Sequence, residues 1–190
     1  MLTAKTSTKP RELPQEELSQ AVCFAIVDCG QHEVTDKASG VVSLKPKAMF
    51  LFELDQKRSD GLPHILSQTF TLSSHKKSNL RPFLESWQGR KFEESEARAG
   101  VNMEPFIGKG LYITPVHNQG YANIGSISKL RSDAVPMRPT VTKMPPWVHS
   151  YIAKAKVKPD GYVAPAEGQA TPVGASGGGV PPQTEDDMPF

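Results

Sequence analysis

Gln68-Thr69-Phe70-Thr71-Leu72-Ser73 alternates polar with apolar side chains, and shortly afterwards Leu80-Arg81-Pro82-Phe83-Leu84-Glu85-Ser86-Trp87 places its apolar residues at i, i+3, i+4 and i+7. The change of period from two to 3.6 marks a strand that runs into a short helix. Ser78 or Asn79 is placed to cap that helix, Pro82 falls in its first turn, and Gly89 can end it. Upstream, residues 21–29 (Ala-Val-Cys-Phe-Ala-Ile-Val-Asp-Cys) read as a buried strand closed by Gly30, and a polar loop over 31–40 follows. Residues 41–54 form a second strand, with Phe50, Phe52 and Leu54 alternating against Met49, Leu51 and Glu53 as a half-buried strand requires. Pro46 interrupts its first half and predicts an edge or a bulge there. The third strand spans 64–74. Downstream, the acidic run 93–96 predicts a further helical turn, and residues 111–117 and 121–130 predict a hairpin turning at Asn118-Gln119-Gly120. Three strands, a helix and two strands is the element order of a small, partly open OB-type barrel. The predicted fold class is therefore all-β with one short helix, a five-stranded OB-type barrel.

The ends of the chain differ in composition from this body. Residues 1–19 are polar and read as a flexible N-terminal arm before a domain over 20–133. Residues 134–158 hold Pro139, Pro145, Pro146, Trp147 and Tyr151, an extension that either packs on the barrel or touches its ligand. Residues 159–183 read as a disordered Gly/Pro linker and 184–190 as an acidic tip; six Pro and six Gly fall among the last 32 residues. All 22 Lys and Arg lie within residues 1–158 against 15 Asp and Glu, a net +7, whereas the last 32 residues carry −5. That asymmetry suggests a body that binds a polyanion and a separate peptide signal. No apolar run is long enough to span a bilayer and the N-terminus lacks a signal sequence, so no membrane partner is expected. Cys23 and Cys29 are six apart, the wrong spacing for a zinc knuckle or redox pair, and are expected as buried thiols.

Motifs for catalysis are lacking. His32, His64, His75, His117 and His149 form no His-x-x-x-His pair, and neither a phosphate loop nor a nucleophile elbow occurs. The expectation is a non-enzymatic protein with no metal and no cofactor. Single-strand binders need cations along the phosphates and aromatic faces for the bases. The candidates are Lys45 and Lys47 on one side of the second strand; His75, Lys76 and Lys77 leaving the third; Arg81, Arg90 and Lys91 around the helix; and the rings of Phe70, Tyr112 and Tyr121. Trp87 reads as packing between helix and barrel.

The stretch Lys77-Ser78-Asn79-Leu80-Arg81-Pro82-Phe83-Leu84-Glu85-Ser86-Trp87-Gln88-Gly89-Arg90-Lys91-Phe92 resembles a family of phage-encoded single-stranded DNA-binding proteins. So does the later hairpin, from Ile107-Gly108-Lys109 through Val116-His117-Asn118 to Tyr121-Ala122-Asn123-Ile124. The resemblance spans residues 21–130; Gln88, where a basic residue is frequent, and the early Pro82 depart from it. It implies an OB fold, sequence-tolerant binding of single-stranded DNA, and a role in phage replication or recombination in the host cytoplasm. Separately, Glu185, Asp186, Asp187 and Phe190 resemble the acidic, Phe-terminated tip with which bacterial and phage single-strand binders recruit replication and repair proteins. An RNA-binding OB module and a virion structural or assembly protein are the alternatives, and homo-oligomerisation is left open.

Overall fold

A computed structural model of the chain describes residues 11–36, 39–73 and 78–164. Its strands are β1 (Ser19–Thr35), β2 (Val42–Lys57), β3 (Pro63–Thr71), β4 (Gly110–Asn118) and β5 (Tyr121–Lys129). Its helices are α1 (Leu80–Gln88), α2 (Glu94–Ala99) and α3 (Pro146–Ala153), with a 3-10 turn at Glu104–Phe106. The strands make one antiparallel sheet in the order β3-β2-β1-β4-β5. Cα atoms of the outer strands β3 and β5 approach within 8 Å, but no ladder joins them, so the sheet is curled and open. β1 and β2 are longer than expected: the hairpin continues through Thr35 and Val42, taking in the first half of the predicted loop. At the β4–β5 turn, Gln119 (φ 49°) and Gly120 (φ 78°) both have the left-handed backbone of a type I′ turn, as the predicted hairpin requires.

Two bulges shape β1. Phe24 is an extra residue between the pairs Cys23–Phe52 and Ala25–Leu51, and Cys29-Gly30 stands opposite Lys47 beside Pro46. The first reverses the side-chain parity, so Cys23 and Ile26 both face the main core, three apart, while Phe24, Ala25, Val27 and Cys29 face the other way. In the main core Phe50, Phe52 and Phe70 meet Phe83 and Trp87 of α1; the Trp87 indole lies 5.5 Å from Phe52 and donates to the Gly110 carbonyl at 3.1 Å. Gly89 (φ 69°) ends α1, its N–H and that of Arg90 donating to the Glu85 carbonyl. A capping box between Glu93 and Glu96 starts α2.

From Lys47 to Leu54, β2 is buried on both faces rather than half-buried. Met49 and Leu51 pack with Val27 and Cys29 under Val148 and Ile152 of α3, so the 134–158 extension is a second layer on the sheet. Its backbone bridges β1 through Gln31 and Val157, and Lys158 Nζ donates to the Ile152, Ala153 and Ala155 carbonyls at the end of α3. Gly30 (φ 76°) permits this approach: a Cβ there would lie 2.2 Å from the Val157 carbonyl oxygen. Glu53, with no exposed surface, accepts from the Thr140 N–H (2.7 Å), the Thr140 hydroxyl (2.6 Å) and the Val141 N–H (2.9 Å), fixing the start of the extension.

The first described residues are also tied down, in contrast to the expected flexible arm. His117 Nε2 meets the Pro14 carbonyl at 2.6 Å, the His117 N–H donates to Glu16, and Ser59 donates to Glu12 through its N–H and hydroxyl. Both cysteines are fully buried, and burial pushes each thiol up to about 12.

Phe70 is 2% exposed, 4.7 Å from Phe83 and edge-on to Phe50 at 5.5 Å. Phe70→Ala is therefore expected to destabilise the fold by about 3–5 kcal/mol, read as the shift of a denaturant-unfolding curve. A wild-type curve would place the ring outside the core.

Candidate nucleic-acid interface

The structure divides the predicted site residues into exposed, buried and undescribed groups. Lys45 is exposed on the outer half of β2, in register with His32. Lys47, predicted to share its solvent-facing side, is only 4% exposed, on the face of β2 that carries Met49 and Leu51. The parity prediction holds, but the extension covers that face from Lys47 onward. Phe70 offers no free face for a base, because α1 closes over it, which corrects its assignment as a stacking ring. Arg81 is a clamp rather than a phosphate contact: Nε donates to Glu85 at 3.0 Å, and Nη2 to the Phe92 carbonyl at 3.0 Å and to Glu94 at 3.4 Å. Arg90 forms a two-pronged pair with Glu96 at 2.8 and 2.9 Å, although half its side chain reaches solvent. Lys91 is exposed; Tyr112 and Tyr121 are half-buried on β4 and β5. His75, Lys76 and Lys77 lie outside the described residues, as do Glu185, Asp186, Asp187 and Phe190.

Three acidic residues of β1 and β2, Asp28, Glu53 and Asp55, have separate local duties. Asp28 accepts from the Gly30 N–H, Asp55 from the Gln20 N–H, and Glu53 from the extension. Among the described residues no group of three or more His, Cys, Asp or Glu is placed to hold a metal ion, and no helix is long and apolar enough to cross a membrane.

One basic feature escaped the sequence reading. A groove of about 760 Å³ opens between the β2–β3 hairpin (Arg58, Leu62, Pro63, Ile65) and residues 140–147 of the extension, with Arg11 at one end. Its wall carries Arg11, Arg58 and Lys143, the apolar Met144, Pro145 and Pro146, and Trp147; among the described residues no carboxylate lines it. Arg11 also lies over the Tyr121 ring at 4.7 Å, which joins the groove to a predicted stacking residue. The Arg58 side chain is 9% exposed, with Nη2 on Asp60 at 2.8 Å. Arg58 Nε and Trp147 Nε1 are both buried without a hydrogen-bond partner. Leaving such a buried donor unmatched costs about 1–3 kcal/mol. No local pattern announces this groove, since its residues come from three segments as far apart as 11, 58 and 147.

Titratable groups elsewhere respond to burial and pairing. Burial lowers His32, whose ring stacks on Tyr151 at 4.5 Å, and it lowers His64. The hydrogen bond from Ser59 lowers Glu12, and the bonds from Arg90 hold Glu96 down at about 2. In each case the folded value lies below the unfolded one, so the folded state binds fewer protons. Stability is thus expected in full above about pH 6.5, the free-histidine value, and to decline as pH falls through that range and then through the carboxylate range. Unfolding free energies measured across these ranges check the sign; a rise on acidification would contradict it.

Compared with protein-family models, with curated proteins and with solved structures, the chain matches none of them.

Proposed function

We propose that this chain is a non-enzymatic, sequence-tolerant single-stranded DNA-binding protein of phage replication and recombination, built on an open OB-type barrel, whose acidic tip at residues 184–190 recruits partner proteins. The observation that carries the reading is the topology. β1 pairs with both β2 and β4, and the outer strands β3 and β5 turn toward each other. α1, inserted between β3 and β4, packs into the main core. This open five-stranded antiparallel sheet with its inserted helix supports the reading of a partly open barrel of the kind that binds single strands. The +7 body supports a polyanionic ligand, and the absence of a base-reading motif supports tolerance of sequence. Lys45, Lys91 and the half-exposed Arg90 are the described cations left to meet phosphates, with Tyr112 and Tyr121 as the rings at hand. His75, Lys76 and Lys77 join them on the sequence reading.

Titrating a labelled oligo-dT with the protein at several salt concentrations tests the reading. Binding should weaken steeply, with a log–log slope of about −0.7 for each phosphate contacted, and should hardly depend on base sequence. A flat salt response overturns the reading. Stronger binding to oligo-U would point to RNA, and a DNA-independent large assembly to a virion component.

For the tip, deleting residues 184–190 is expected to leave oligo-dT binding intact or slightly tighter at low salt while abolishing recruitment of replication proteins. Phe190→Ala should lose the partner while keeping most of the tip's charge. Identical partner sets captured by full-length and truncated protein would make the tail a solubility device.

A further inference from the structure

We propose that the groove between the β2–β3 hairpin and residues 140–147 seats one nucleotide unit of the bound strand, with the base against Trp147 and its phosphate between Arg11 and Lys143. The inference rests on the single-strand reading and goes further by naming where and how the strand is held. The predicted strand-binding positions are depleted. Lys47 and Phe70 are buried and Arg81 is held by Glu85 and Glu94, which leaves Lys45, Arg90, Lys91, Tyr112 and Tyr121 of the described predicted positions and room for a further cationic and aromatic contact. The outer face of β1–β2 is closed by α3, which leaves the β3 side of the sheet.

The groove has the chemistry for it. Three cations line its wall, of which Arg58 is paired to Asp60; among the described residues no carboxylate lines it, and its volume lies in the range of roughly 300–1,000 Å³ typical of ligand sites. Phosphate suits guanidinium and ammonium groups. The indole supplies a flat face beside them, as single-strand binders use for any base. The wall is also held in place, since Thr140 and Val141 are fixed to the buried Glu53. Arg11 carries the basic track on to Tyr121, a second ring at the edge of the same surface.

Oligo-dT titrations of Trp147→Phe and Lys143→Ala test the assignment. Trp87 is buried in the main core, so DNA should quench the emission of the wild type and not that of Trp147→Phe. Trp147→Phe, which keeps a smaller ring against the sheet, should weaken binding severalfold, less than the loss of the whole stacking contact would. Lys143→Ala, an exposed position outside any helix or strand, should keep the wild-type melting temperature and reduce the salt slope by about 0.7. It decides the matter even where Trp147→Phe loosens the fold. If wild type binds oligo-dT and both variants bind it with wild-type affinity and slope, the groove is not the strand site, although the DNA reading stands. If wild type binds none, the DNA reading falls and the groove with it. If Lys143→Ala loses a synthetic peptide of residues 184–190 yet keeps oligo-dT binding, the groove takes an acidic peptide instead, and the proposal is overturned.

Discussion

Burial of both faces of the β1–β2 hairpin is the constraint on which the rest of the molecule depends. One face, with Phe50 and Phe52, needs the aromatic stripe of α1 to exclude water, and this draws β3 and β5 toward each other across the helix. The other face, with Met49 and Leu51, needs a second cover and finds it in α3, which the chain reaches only after the sheet is complete. Neither layer has enough apolar surface to stand alone, so each segment's order follows from the hairpin it covers.

The bulge at Phe24 makes this two-sided burial compatible with one strand. An unbroken period of two would send Cys23 and Ile26 to opposite faces; the extra residue brings both to the main core and frees Phe24, Ala25 and Val27 for the second. The bulge at Cys29-Gly30 serves the other end of the cover. Its glycine lets the Val157 backbone come close enough to bond with Gln31, and Lys158 then neutralises the carbonyls at the end of α3.

Where an open cationic groove can lie is a consequence of that covering. A carboxylate as deeply buried as Glu53 must be matched by donors, and the donors are the backbone of residues 140 and 141. That match pins the chain beside the β2–β3 hairpin and forms the wall of the groove. The cations of the groove are thus placed by the same contacts that close the second core. Cations nearer α1 are drawn instead into ion pairs with Glu85, Glu94 and Glu96.

Local pattern was enough for the elements whose periodicity is set by one neighbour. The stripe Leu80, Phe83, Leu84, Trp87, the glycine that ends α1, and the turn at Gln119-Gly120 are properties of adjacent residues, and each is found where the sequence places it. Period two likewise put Lys45 and Lys47 on one side of β2, yet only Lys45 stays in water, because what covers Lys47 is decided a hundred residues later. Phe70 and Arg81 were legible as an aromatic and a cation, but not as a core ring and a helix clamp, since both roles depend on partners that fold over them. Sequence by itself determined the strands, the helix between β3 and β4, and the charge of the body and tail. Tertiary structure alone decided which cations remain exposed and where Arg11, Arg58, Lys143 and Trp147 converge, because burial and convergence are properties of residues distant in the chain.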